Sequence, residues 1–185
     1  MKNFALKFFI LNFSFFILLT ACGRKKETTP GPIPIPPINN IALKNLLSEF
    51  PSEIKTSEYA GKVQLILFLR SDDPACRGSI AVWNGLQKDF ADRGLAIVGA
   101  LADERPADIL AVEAANLGTL FPVGLAFDHV VAAFGGPAAI RAIPTAFLLS
   151  RDGALLRTYA GYETLENLRD DVSRALEGQE LAVRN

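Results

Sequence analysis

Few residues in this chain can carry covalent or acid–base chemistry. Two cysteines, Cys22 and Cys76, and one histidine, His129, stand among 185 residues. Cys76 closes the run Asp72-Asp73-Pro74-Ala75-Cys76, so a thiol follows a carboxylate by three positions. Asp followed by Pro is the signature of a helix start: the carboxylate accepts free N–H groups of the first turn, and proline at the first position has no N–H to leave unpaired. Cys76 then lies one turn inside the helix beside carboxylates that oppose its ionisation, and a thiol protonated near neutral pH is expected. Arg77 is adjacent in sequence but points elsewhere, because neighbours along a helix do not share a face. Asp72 and Asp73 as a paired general acid and base lack any further catalytic group nearby. His129, after Asp128, is expected to open a short helix; without a second histidine or a cysteine cluster no metal site can be argued, and no cofactor is expected. Gly135-Gly136-Pro137 reads as a turn, since it lacks the lysine of a phosphate-binding loop.

The elements that must position these residues follow from periodicity. Ile41 to Phe50 is expected to be helical behind an Asn cap. Val63 to Leu69 is apolar except for Gln64 and reads as a buried strand, as does Leu95 to Leu101. Ile80, Trp83, Leu86 and Phe90 recur at helical spacing and mark a helix from the Asp73 cap that ends before Gly94. Trp83 belongs to that core stripe. Ala107 to Leu117 forms a second helix ending at Gly118. Thr145 to Leu149, the turn Arg151-Asp152-Gly153 and Ala154 to Tyr159 predict an antiparallel hairpin, and a last helix runs from near Thr164 to Gly178. Strands alternating with helices and followed by a hairpin and helix predict an α/β domain, a mixed sheet with helices on both faces.

Ahead of this domain the chain reads as an address and a spacer. Met1 to Lys7 carries two lysines and no acid, and Phe8 to Leu19 is apolar except for Asn12 and Ser14. That is the layout of a bacterial export signal, and the apolar run falls short of the roughly 20 residues of a membrane-spanning helix. Leu19-Thr20-Ala21-Cys22 resembles the lipobox of bacterial lipoproteins, which implies that residues 1–21 are removed and that Cys22 carries the lipid. Two or more acyl chains anchor stably where one does not. By resemblance to the sorting rule of enteric bacteria, Gly23 rather than Asp after the cysteine implies the outer membrane. Residues 22–40, with five prolines, read as an extended tether, leaving one domain over 41–185. Without residues 1–21 the chain keeps seventeen basic and twenty acidic residues, a formal charge of −3. Such a chain has no basic excess for nucleic acid.

The order of elements, with Gly61-Lys62-Val63, Pro74-Ala75-Cys76-Arg77, Gly94 to Gly99 followed by Asp103-Glu104, Phe121-Pro122-Val123 and Ile143-Pro144-Thr145, resembles the membrane-anchored TlpA and ResA type of thioredoxin-like protein over roughly residues 41–178. The resemblance implies a thioredoxin-like fold and a place in the thiol-disulfide oxidoreductase (redoxin) family, whose members work through Trp-Cys-x-x-Cys at a helix start. Counted from Phe68, the first cysteine of that motif becomes Asp73, the second Cys76 and the tryptophan Asp72. Another register, Cys76-Arg77-Gly78-Ser79 as Cys-x-x-Ser, needs three inserted residues. A carboxylate at Asp73 sits in the anion site meant for a thiolate and forms no disulfide, which points away from dithiol turnover. Leu67 stands where such relatives keep a buried polar or acidic residue. The resemblance further implies a cis peptide bond before Pro144 and a groove there, flanked by Ile143 and Thr145, for an extended peptide or a thiol-bearing protein.

A second reading rests on Cys76 alone. Phe68 to Cys76 is similar to the approach to the peroxidatic cysteine of peroxiredoxins, which implies a single-cysteine thiol peroxidase. Against it, the hydroxyl residue expected three positions before the cysteine is Asp73.

Overall fold

The computed structural model describes residues 37–48 and 51–182. Among them are seven strands and four α-helices. The strands are β1 (Ala42–Asn45), β2 (Glu53–Lys55), β3 (Val63–Leu69), β4 (Leu95–Leu101), β5 (Val123–Leu125), β6 (Thr145–Leu149) and β7 (Leu155–Ala160), and the helices are α1 (Pro74–Phe90), α2 (Ala107–Asn116), α3 (Asp128–Ala133) and α4 (Leu165–Leu176). They form one mixed sheet in the order β2-β1-β5-β4-β3-β6-β7. The central strands β3, β4 and β5 are parallel, and β1 and β6 pair antiparallel at either side of them.

Strand β3 is buried along its whole length and splits the core in two. Leu65, Leu67 and Leu69 face Trp83, Leu86 and Phe90 of α1 together with Leu168 and Val172 of α4. Ile66 and Phe68 point the other way, toward Val130, Phe134 and Phe147. There Phe68 meets Phe134 edge-on at 5.2 Å and Phe147 at 5.7 Å. The alternation is the two-residue period of a strand with both faces covered. Helices therefore lie on both faces, as the pattern predicts. After α1 a 3-10 turn over Ala91–Arg93 closes where Gly94 adopts φ 100°, a left-handed geometry that glycine reaches without Cβ strain.

The N-terminal expectation is corrected. Ile41 to Phe50 is not helical where the structure describes it: Ala42–Asn45 is strand β1, paired with β2 and β5. Ile41 and Leu43 are buried, with exposed Lys44 following, a period-two segment too short to separate strand from helix by pattern. The deciding partner lies far along the chain. Gly124 of β5 has no Cβ, and one built there would lie 2.8 Å from Leu43 Cβ and from the Lys44 carbonyl oxygen, so only glycine lets β1 close on β5. Strand β5 itself, three residues long, carried no distinct pattern.

Packing also extends ahead of residue 41. Ile38 is buried, and its N–H donates to the Gly153 carbonyl at 2.8 Å. Gly153 lies in the β6–β7 turn, beyond Leu149, which pairs with Gln64 near the start of β3. The chain thus enters the domain at the opposite end of the sheet from the segment after Leu69, where Asp73 and Cys76 lie. Cys22 and the expected signal segment lie outside the described residues, and so does most of the expected tether. Among the described residues no helix is long and apolar enough to cross a membrane.

Candidate functional site

The C-terminal ends of β3, β4 and β5 and the start of β6 meet at one end of the sheet, because β6 runs antiparallel to β3 and sets Thr145 opposite Phe68. Loop 70–73, loop 102–106, the start of α3 and the Pro144 loop therefore converge there.

Asp73 caps α1. Its backbone is extended, and its carboxylate accepts the Cys76 N–H at 2.9 Å, with Pro74 at the first helical position. Cys76 is fully buried, and its Sγ accepts the backbone N–H of Arg70 at 3.4 Å. Burial pushes the thiol up to about 11; the Arg70 N–H works against this, while the negative charges of Asp73 and Asp72 add to it. The thiol is thus protonated at neutral pH, as the local sequence implies. Such a sulfur is a poor nucleophile, which opposes the peroxidase reading. Arg77 turns away from the sulfur and donates through Nε to the Ser71 carbonyl at 2.6 Å. Leu67 lies in the same apolar cluster as Cys76 and offers no proton relay.

The Ile143–Pro144 peptide bond is cis. Pro144 and Thr145 are buried; Thr145 donates its hydroxyl to the Ala142 carbonyl at 2.5 Å, and the Pro144 carbonyl accepts the Gly161 N–H at 2.7 Å. Of the three residues expected to line a groove, only Ile143 keeps a partly accessible side chain, which packs against both apolar clusters.

Sequence reasoning missed the charged network that holds this end together. Arg105 donates to Asp103 at 2.6 Å, to Glu113 at 3.0 Å and to the Ser71 hydroxyl at 2.9 Å. Fully buried Ser71 in turn donates to Glu113. Asp72 pairs with Arg70 at 3.1 Å and stands 3.8 Å from Arg105. The guanidiniums hold three carboxyls below their ordinary values: Asp72 through Arg70, Asp103 through Arg105, and Glu113 through the Ser71 hydroxyl first and then Arg105. Asp72 and Asp73 are thus a paired side chain and a helix cap, each engaged with a different partner. Ser71 and Glu113 lie 42 positions apart, so only the short Arg70-x-Asp72 and Asp103-x-Arg105 spacings carry a local trace of the network.

Beyond the ends of β4 and β5 opens a cleft of about 990 Å³ lined by, among others, Arg70, Glu104, Arg105, Phe127 and His129. His129 opens α3 as expected, and its ring stacks on Phe127 with centroids 6.1 Å apart. Among the described residues no group of three His, Cys, Asp or Glu side chains could hold a metal ion.

A sequence model of the redoxin family matches residues 34–176. No curated protein matches the chain. Similar solved structures include a thioredoxin-family thiol:disulfide interchange protein from Chlorobium tepidum TLS, at 23% identity and TM-score 0.67 over 78% of this chain and 98% of that one. The exposed lipoprotein thioredoxin of Streptococcus pneumoniae matches at 16% identity and TM-score 0.62 over 73% and 98%. StoA from Bacillus subtilis matches at 20% identity and TM-score 0.56 over 72% and 97%. The fold is thioredoxin-like.

Proposed function

The chain belongs to the redoxin family, and from that membership we propose that it is a lipid-anchored protein of the cell envelope that keeps a thioredoxin-like scaffold for holding extended polypeptide while giving up two-cysteine disulfide exchange. The observation that carries this reading is the hydrogen bond from the Cys76 N–H to the Asp73 carboxylate. In a working dithiol site the helix start stabilises a thiolate, which attacks a sulfur and is then resolved by a second thiol. Here that N–H is engaged by a carboxylate. Cys76 sits at the third position of α1, which supports taking Asp73 in place of the first cysteine over a Cys76–Ser79 motif. Its sulfur is buried and protonated, and among the described residues no second thiol stands beside it to resolve a mixed disulfide.

The binding half of the reading rests on the Pro144 loop. The Ile143 side chain is partly accessible there, and no described residue forms a hydrogen bond with the Ile143 N–H or carbonyl, which leaves both for a strand-like ligand. The anchoring half rests on the lipobox at Cys22 and on the exposed-lipoprotein description of the pneumococcal neighbour.

The test is reduction of insulin disulfides by dithiothreitol. The chain should add nothing to the rate of dithiothreitol alone, and Asp73→Cys should accelerate it by restoring a Cys-x-x-Cys pair. Acceleration by the unaltered chain overturns the loss of turnover. Incorporation of labelled palmitate in a bacterial host, abolished by Cys22→Ser, tests the anchor.

A further inference from the structure

Neither Asp73 nor Cys76 lines the cleft beyond β4 and β5, and its lining has an uneven charge. Both guanidiniums that line it are already engaged, Arg70 by Asp72 at 3.1 Å and Arg105 by Asp103 at 2.6 Å and Glu113 at 3.0 Å. Two of its carboxylates are not: Glu104 and Asp128 are exposed and make no hydrogen bond or ion pair among the described residues. Beside them Phe127 presents an aromatic face, 46% exposed and braced by the stacked His129 ring.

We propose that this cleft receives a lysine or arginine side chain of an extended polypeptide, its aliphatic stem lying along Phe127 and its charge meeting Glu104 and Asp128. The inference rests on the peptide-binding reading above and adds to it the kind of sequence bound. A long basic side chain is the one natural residue type that matches an aromatic surface and two unpaired carboxylates at once. An acidic side chain would meet like charge, because the arginines are already neutralised. A purely apolar side chain would cover the carboxylates without pairing them, at the cost of their hydration. Pro137, on the connection that leads from α3 into the Pro144 loop, also lines the cleft.

The test measures fluorescence anisotropy of three fluorescein-labelled nonapeptides with the full chain. They share an Ala/Thr/Val frame and differ at the centre: Lys-Val-Arg, Gln-Val-Gln or Glu-Val-Glu. The basic peptide should bind at least about tenfold tighter than the acidic one at low salt, and the gap should narrow at ~0.5 M salt, where charges are screened beyond a few ångströms. In the Glu104→Gln/Asp128→Asn double variant the basic peptide should fall to the affinity of the neutral one, with the neutral peptide unchanged. Phe127→Ala should weaken the basic peptide most. Unchanged affinity of the basic peptide in the double variant overturns the proposal. If the neutral peptide binds and loses affinity in Ile143→Asp while the basic one gains nothing over it, the cleft proposal fails and the peptide-binding reading stands. If only the basic peptide binds, through Glu104 and Asp128 and indifferent to Ile143→Asp, the cleft proposal stands and the Ile143 groove fails. Failure of all three peptides to bind overturns both.

Discussion

The Asp73 carboxylate and the Cys76 backbone are joined by a 2.9 Å hydrogen bond, which fixes a negative charge at the start of the helix that buries the only sulfur among the described residues. One contact thereby stabilises α1 and places a charge that adds to the burial keeping its thiol protonated. Because both effects pass through Asp73, they can be separated by substitution.

Asp73→Asn keeps a side-chain acceptor and should leave stability nearly unchanged, whereas Asp73→Ala should lose about 1 kcal/mol, the usual worth of such a cap. Both remove a charge that raises the Cys76 thiol, so both should speed its alkylation. Urea unfolding and thiol labelling on the same variants check the two effects independently.

Cys76 should react with iodoacetamide slowly between pH 6 and 9, with a rate that keeps rising and reaches no plateau, when modification at this residue is followed by peptide mass. A plateau below pH 9 in the native chain would contradict the buried, protonated thiol. The folded value lies above the unfolded one, from an ordinary 9.0 up to about 11. The folded chain therefore holds this proton after the unfolded chain has released it, and stability should fall with rising pH between those two values. Cys76→Ala should flatten that part of the stability profile.

Arg105→Ala should destabilise the domain more than Arg70→Ala, since Arg105 serves Asp103, Glu113 and the Ser71 hydroxyl while Arg70 serves the exposed Asp72. Asp103 and Glu113 sit below their ordinary 3.8 and 4.5 in the folded chain. The stability they lend is present above those values and is lost as pH falls through the lower folded ones. The gap in urea midpoint between the parent and Arg105→Ala should accordingly shrink from pH 7 to pH 3. A gap that stays constant would show that the network contributes through packing alone.

At the β7 edge of the sheet, Asp171 is fully buried on α4 and accepts Arg157 at 2.8 Å and the Tyr159 hydroxyl at 2.8 Å, both from β7. Asp171→Ala should cost about 3–5 kcal/mol, because it leaves a largely buried guanidinium without its partner. Tyr159→Phe should cost about 1 kcal/mol. Arg157 also donates to the Ala182 carbonyl, so Asp171→Ala should raise hydrogen exchange at residues 178–182.

Much of the architecture is legible in the sequence. Seven consecutive buried positions in β3 and again in β4 read directly as strands between two covered faces, and the stripe Ile80, Trp83, Leu86, Phe90 with its Asp-Pro start specifies α1. These signals are local: a strand's burial, a helix's period and a cap each lie within one stretch of chain. Asp73 as a cap and Cys76 as a sheltered thiol were readable for the same reason.

What the tertiary structure alone decided depends on contacts between distant segments. Ala42–Asn45 became strand because Gly124, some eighty residues on, leaves room for Leu43. The Ser71, Arg105 and Glu113 network exists because the ends of β3 and β4 are neighbours in the sheet and α2 follows one of them, an adjacency that no spacing in the chain encodes. The same convergence sets Glu104 and Asp128 on one cleft. Local periodicity determines which elements form and how each begins and ends, while charge pairing and close backbone approach are settled by three-dimensional neighbourhood.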